Sequence, residues 1–344
     1  ILRMLSDPRA INALGQLCAN TGTTMLCDLS SSGLRRPDDQ QVLHDVVNRD
    51  DYPARLLQRH LHALPAGSTD WADAAELLLT LADRDTDKLR TAGLKLVLDG
   101  SIQGFTAMMG WPGYYTGTDH GQWMVPPDQL LDICRPFHER RINIHAHCNG
   151  DLTIDAWTDT VEQLVIEYPW LDHRHTVQHC QLTSPAQYRR MAKLGMCANI
   201  FANHLWYWGD QHHDITVGPE RARRMEAAAT AEREGVSFSL HSDANITPLG
   251  HLHTMWCAVN RTTPSGRVLG EAERISAQSA LRAVTLGSAY QMHLDAEFGT
   301  IECGKAADFS VLEDNPLTVD PTAIRDIGVW GTIVGGRPFA ANRP

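Results

Sequence analysis

The chain has 344 residues, 43% hydrophobic and 21% charged, the balance of a globular protein with room for one large domain and an appendage. Its formal net charge of −11 argues against nucleic acid, whose phosphates it would repel, and no apolar run is long enough to span a bilayer. The 17 histidines are many for this length and point toward a metal site, while the eight cysteines, none in a C-x-x-C pair, read as buried reduced thiols of a cytoplasmic protein.

The first 22 residues carry a helical pattern. Strand candidates then follow at "TTMLCDLS" (23–30), "ARLLQRHL" (54–61), "LKLVLDGS" (94–101), "INIHAHC" (142–148), "HTVQHCQL" (175–182), "MCANIFAN" (196–203) and "VSFSLHSD" (236–243). Helical stretches such as "PPDQLLDICRPFHERR", "TIDAWTDTVEQLVIEYP", "SPAQYRRMAKLG" and "GPERARRMEAAATAEREG" separate them, two with Pro-rich or Ser-Pro starts and two closing on Gly. Alternating strand and helix predicts βα units and a parallel sheet. Seven strands are one short of a closed (β/α)8 TIM barrel, so the expected fold class is α/β, with a barrel over 1–295 that lacks its first strand. A helix over "ISAQSALRAVTLGSAYQM" should end it. Short strands in "GTIECGKAADFSVLEDNP" and "VWGTIVGGRPF", the latter turning at Gly335-Gly336, predict part of a small β-sandwich over 296–344.

The strand ends carry the chemistry. In "RINIHAHCNGD" the period of two puts His145 and His147 on one side of a strand. His147 and His179 are 32 residues apart, one βα unit, and His179 and Asp243 are 64 apart, two units; Lys95 precedes His147 by 52, a unit with a long loop. The four therefore fall at similar heights near the C-terminal ends of separate strands, the face on which barrel enzymes work. Imidazoles and a carboxylate meeting there make a Zn²⁺-type site.

These motifs, in this order, resemble the amidohydrolase superfamily of metal-dependent hydrolases, and most of all its amidohydrolase 3 branch, which includes N-substituted formamide deformylases. "LKLVLDGSIQGFTA", "IHAHCNGD", "RHTVQHCQL", "SLHSDAN", "AVNR", "SALRAVTLGSAY" and "GTIECGKAADFSVLE" carry the likeness, from about residue 10 to the C-terminus. It implies that His147, in the pattern His-x-x-Gly-Asp, is the metal ligand of the family's fifth strand, His179 that of the sixth and Asp243 that of the eighth. Lys95 matches the fourth-strand lysine, which CO₂ can convert to an anionic carbamate bridging two metals. The implied cofactor is zinc or another divalent metal, one or two ions. Asp243 is then also catalytic, taking a proton from a water that the metal has acidified. The implied reaction is hydrolysis of a non-peptide C–N bond in an amide, formamide or carbamate; a deaminase or other hydrolase of the superfamily, and a non-catalytic homologue without an intact metal site, are the alternatives. The family's first-strand His-x-His is absent, and neither His145-Ala-His147 nor His251-Leu-His253, which starts a helix, replaces it. Strand 1 is expected just upstream of Ile1, so the sequence reads as a fragment, or as a chain whose missing N-terminal segment another chain supplies; seven strands alone would leave two open sheet edges.

His145 and His241 are expected behind the ligands or facing substrate. Lys95 could instead merely pair with Asp99, Asp151 is expected to cap the following helix, and Cys148 and Cys180 should point into the core. Two loops are rich in aromatics, one with Trp111, Tyr114, Tyr115 and Trp123, the other with Phe201, Trp206, Tyr207 and Trp208. Their density suggests a small-molecule substrate with an apolar or aromatic arm, bound by Trp206 and Trp208. The sequence does not name the oligomeric state; a homodimer is compatible with it.

Overall fold

In the computed structural model, which describes residues 7–37, 40–117 and 120–342, helix α1 (Pro8–Thr21) starts where the Asp7 carboxylate accepts the Arg9 N–H and stops at Gly22, whose φ of 71° admits no ordinary side chain cheaply. The helical reading of the first residues therefore holds from Pro8; residues 1–6 lie outside the described residues.

All seven predicted strands form: β1 (Met25–Ser31), β2 (Arg55–Leu61), β3 (Leu89–Val97), β4 (Ile144–Cys148), β5 (Thr176–His179), β6 (Cys197–Ile200) and β7 (Ser237–Leu240). They pair in parallel in chain order, and β1 and β7 are the edges of this sheet. The intervening helices are α2 (Gln40–Val47), α3 (Trp71–Ala82), α4 (Pro127–Glu139), α5 (Asp151–Glu167), α6 (Pro185–Leu194), α7 (His204–Gln211), α8 (Gly218–Ala222) and α9 (Ala228–Arg233). After β7 come α10 (His251–Asn260), α11 (Ala277–Arg282) and α12 (Ser288–Gln291).

The pleat sorts the strands into two faces. Leu94, Leu96, Ile144, Ala146, Cys148, Val177, Ala198 and Ile200 are fully buried and pack with Phe137, Trp157, Leu164 and Tyr188 of the helices. Each large side chain so buried contributes about 1.5–3 kcal/mol. Holding the fold falls to that face. The opposite face is polar: Gln178 Nε2 reaches His145 Nδ1 at 2.6 Å, Asn199 Nδ2 donates to Gln178 Oε1 at 2.7 Å, and Ser239 Oγ donates to Asn199 Oδ1 at 3.0 Å. This chain of hydrogen bonds crosses β4 to β7 one residue per strand.

Three expectations about elements need correction. The stretch 218–235 is not one helix but two, α8 and α9, because Glu226 lies at φ 45° and Arg261 draws the carbonyls of Met225 and Glu226 onto its guanidinium at 2.7 and 2.9 Å. The helix over 277–291 is interrupted by a π turn at Ala283–Gly287. Asp151 does not cap α5: it is the first helical residue after Gly150, and its carboxylate accepts the Gly110 N–H at 2.8 Å instead.

The C-terminal segment forms β8 (Phe309–Leu312), β9 (Val329–Val334) and β10 (Arg337–Ala340), an antiparallel sheet in the order β10–β9–β8. Gly335 and Gly336, at φ 56° and 80°, make the expected hairpin turn. Among the described residues this is one three-stranded sheet and not two packed sheets. A buried fork ties it to β2 of the parallel sheet: Arg55 Nε and Nη2 meet Asp308 at 2.7 and 3.1 Å. Cys148 and Cys180 are fully buried as expected, but Cys27 is half-buried and Cys303 exposed. No described helix is long and apolar enough to cross a membrane.

Candidate active site

The parallel register sets the site. Val97 pairs with His147 and Lys95 with His145 across β3 and β4, and His147 pairs with Gln178 across β4 and β5. One residue further, at the end of β5, His179 turns to φ 79°, and beyond β7 Asp243 adopts φ 50°. Left-handed backbone at non-glycine residues costs of order 1–3 kcal/mol each and persists where the surroundings enforce it, commonly at functional positions. The result is that the His147 and His179 rings meet edge to face with centroids 4.4 Å apart, and the His241 ring lies 5.0 Å from that of His179.

Burial sets the charges. It pulls His147 and His241 down to about 3 and puts His145 and His179 well below the usual imidazole range, so all four are neutral near pH 7. Lys95 is lowered to about 8, chiefly by burial, and its Nζ donates to the Leu96 carbonyl at 2.9 Å. Burial raises the Asp243 carboxyl and the Lys95 charge opposes it. The simple Lys95–Asp99 pair is not formed by hydrogen bonding. Asp99 instead accepts the N–H groups of Met108, Asn149 and Gly150 at 3.0, 3.0 and 2.8 Å and the Thr153 hydroxyl at 3.0 Å. It thereby fixes the loop after β4 and stands 3.5 Å from His147 Nε2.

Among the described residues no three His, Cys, Asp or Glu side chains are already drawn together around an ion. The donors nevertheless fit a divalent cation in kind. His179 Nδ1 and His241 Nε2 are buried with no partner. His147 Nε2 lies 3.0 Å from the Gly100 carbonyl, 3.5 Å from the Asp99 carboxylate and 3.1 Å from Asn149 Nδ2; the two oxygens favour a proton on Nε2, which leaves the lone pair on Nδ1, and the Asn149 amide opposes it. Asp243 supplies the anionic oxygen such an ion needs when it is ionised, and Lys95 supplies one only when carboxylated; as a free ammonium it would repel the ion.

The remaining expected residues part company. His145 is fully buried at the end of the hydrogen-bonded chain through Gln178, with Nε2 unpartnered. Trp208 stands edge-on to His204 with centroids 5.5 Å apart. Trp206 is committed elsewhere, perpendicular to Trp256 at 5.2 Å and beneath the Arg325 guanidinium at 4.7 Å. In the other aromatic loop Tyr114 is packed with Met109 and Leu205, whereas Trp111 is 91% exposed. Phe201, one of the aromatics of the loop that carries Trp206 and Trp208, stacks on His241 at 4.8 Å, whereas sequence reasoning missed the His204–Glu226 contact at 2.7 Å. Glu226 carried no signal because it reads as a helix residue.

Residues 8–340 match the family model described as the amidohydrolase family. The chain belongs to the amidohydrolase family. It is 26% identical over 276 residues to Protein LONG AFTER FAR-RED 3 of Arabidopsis thaliana, covering 78% of this chain and 46% of that one. To the N-substituted formamide deformylase of Arthrobacter pascens it is 28% identical over 195 residues, 57% of this chain and 36% of the other. The amidohydrolase chain thus spans less than half the length of these curated relatives. In fold it is similar to an uncharacterized metal-dependent hydrolase from Pyrococcus horikoshii OT3, with a TM-score of 0.71, 21% identity, and coverage of 91% of this chain and 60% of that one. It is also similar to atrazine chlorohydrolase TrzN from Arthrobacter aurescens TC1 complexed with zinc, with a TM-score of 0.62, 14% identity, and coverage of 99% and 73%.

Proposed function

We propose that this amidohydrolase-family chain carries the catalytic residues of a metal-dependent hydrolase acting on a non-peptide C–N bond, in an amide, formamide or carbamate. The observation that carries the reading is the gathering of neutral His147, His179 and His241 with Lys95 and Asp243 at the C-terminal ends of β3, β4, β5 and β7. His147, His179, Asp243 and Lys95, the last as a carbamate, would hold zinc or a similar divalent ion. Such an ion supplies Lewis acidity and lowers the pKa of a bound water toward neutrality. Asp243 takes a proton from the attacking water, a role suited to a carboxyl whose affinity for protons burial has raised. His241, stacked on Phe201, and His145 keep the surrounding dipoles in place. Trp208 offers an aromatic wall to the arm of a small-molecule substrate, and Trp206 acts through the packing of α7 against α10.

The relatives support this reading, an N-substituted formamide deformylase among them. The test pairs metal analysis of the purified protein with a screen of N-formyl and N-acyl arylamines. One or two divalent ions per chain and turnover of any member support it. A metal-free protein that binds these amides without cleaving them points to the non-catalytic homologue.

A further inference from the structure

One buried pair that the reading above does not use lies near the same histidines. His204 opens α7 just beyond β6, and its Nδ1 lies 2.7 Å from Glu226 Oε1, with side chains 2% and 0% exposed. The Phe201 ring is shared by His204 and the site histidines: its centroid is 4.0 Å from that of His204, 4.8 Å from His241 and 5.9 Å from His179. His204 therefore borders the same group of rings as His179 and His241.

The position of the shared proton follows from what surrounds Glu226. Its Oε2 is buried without a partner. The nearby cation Arg261 spends its donors on the carbonyls of Leu269, Glu226 and Met225, at 2.6, 2.9 and 2.7 Å, and gives none to the carboxyl. An ionised carboxylate there would bury an anionic oxygen with no donor, whereas a neutral carboxyl avoids that cost. Burial correspondingly pushes Glu226 well above the usual carboxyl range, against the charge of Arg261. The carboxyl proton is then donated from Oε1 to His204 Nδ1, and the neutral imidazole carries its own proton on Nε2. That Nε2–H has no hydrogen-bond acceptor among the described residues. Glu226 is held for this purpose in a left-handed conformation, φ 45°, by the Arg261 contact to its carbonyl and by its own N–H donating to the Gln181 carbonyl at 3.2 Å.

We propose that His204 is the proton donor to the leaving nitrogen, with Glu226 as the positioning residue that recharges it; this rests on the C–N hydrolase reading. As the C–N bond breaks, its electron pair stays on nitrogen and takes the Nε2 proton. Nδ1 takes the Glu226 carboxyl proton in the same relay, so His204 remains neutral and Glu226 becomes the transient anion. The hydroxyl of the attacking water stays on the acyl carbon, and its other proton passes to Asp243 and then to solvent. A solvent proton taken up at Nε2, with return of the Nδ1 proton to Glu226, then restores both groups.

The experiment follows kcat/KM of the wild-type chain, His204→Gln and Glu226→Gln on N-formylanilines whose para substituents run from methoxy to nitro, with thermal melting of each protein. A missing proton donor matters most for the most basic leaving amine. Both variants should lose roughly 100-fold on the methoxy substrate, with the loss shrinking steadily toward the nitro substrate. A loss equal across the series overturns the assignment while leaving the hydrolase reading intact. A wild type inert to every member overturns both. Should His204→Gln fail to melt cooperatively, the isosteric Glu226→Gln carries the same comparison.

Discussion

His147 and His179, on neighbouring parallel strands, meet edge to face with ring centroids 4.4 Å apart, and both are neutral because they are buried. Two uncharged imidazoles this close lose little by proximity, and under the proposed function they would offer lone pairs to one ion. Replacing either with Asn should remove most of the bound divalent metal while leaving the outer, apolar face of the sheet intact. Metal content by mass spectrometry alongside an unchanged far-ultraviolet circular dichroism spectrum checks this.

Asp243→Asn removes the proton acceptor but keeps the shape of the side chain. Turnover should fall by about 10²–10⁴-fold, the usual contribution of a positioned general base, with the melting temperature little changed. Activity within a few-fold of wild type would mean that another group takes the proton.

Lys95 is lowered to about 8 by burial, so an appreciable fraction of its amine is neutral near pH 7 and able to attack CO₂. Protein equilibrated with ¹³C-bicarbonate should show a carbamate carbon signal that Lys95→Met abolishes. Its absence at mildly alkaline pH, where the amine is mostly uncharged, would remove the carbamate from the site.

Away from the site, three histidines form a closed network: His138 Nδ1 lies 2.8 Å from His175 Nε2, His175 Nδ1 accepts the Ile144 N–H at 3.0 Å, and His173 Nδ1 accepts the His175 N–H at 2.9 Å. Every ring nitrogen used as an acceptor would be lost on protonation, and burial lowers His173 to about 4 and His175 further. The unfolded chain, with histidines near 6.5, binds more protons than the folded one below that value, so stability is complete above about pH 6.5 and is lost as pH falls toward 4. Each site contributes a slope of up to about 1.4 kcal/mol per pH unit. Urea unfolding at pH 7.5, 6 and 5 should show the midpoint dropping, and His173→Gln should flatten the drop.

Asp308→Ala would strand the buried Arg55, leaving it only Asp87, an exposed partner 2.7 Å away. The expected cost is about 2–3 kcal/mol, less than the full loss of a buried pair because that second carboxylate remains. Denaturant titration measures it, and a loss under about 0.5 kcal/mol would show that the small sheet is not anchored there.

Much of this protein was legible without coordinates. The central strands were readable because one face is a run of apolar residues such as Leu94-x-Leu96 or Ile144-x-Ala146, and the hairpin because Gly335-Gly336 suits one turn geometry. Lys95, His147, His179 and Asp243 could be singled out because separations of whole βα units, one of them with a long loop, put residues at similar heights in a parallel sheet. The helix over 218–235 was misjudged for a long-range reason: Arg261, far along the chain, captures the two carbonyls at its break. Trp206 and Trp208, two residues apart in one aromatic run, go to different neighbours for the same kind of reason.

The order of apolar and polar residues, a property of the chain alone, decided that there would be a parallel sheet with a polar inner face and which strand ends would carry imidazole and carboxylate. Which side chains then meet was settled only by the packing of distant segments. The His204–Glu226 pair bridges the start of α7 and the break before α9, and no periodicity links those positions, because a hydrogen bond between residues 22 apart depends on where the backbone between them is forced to turn.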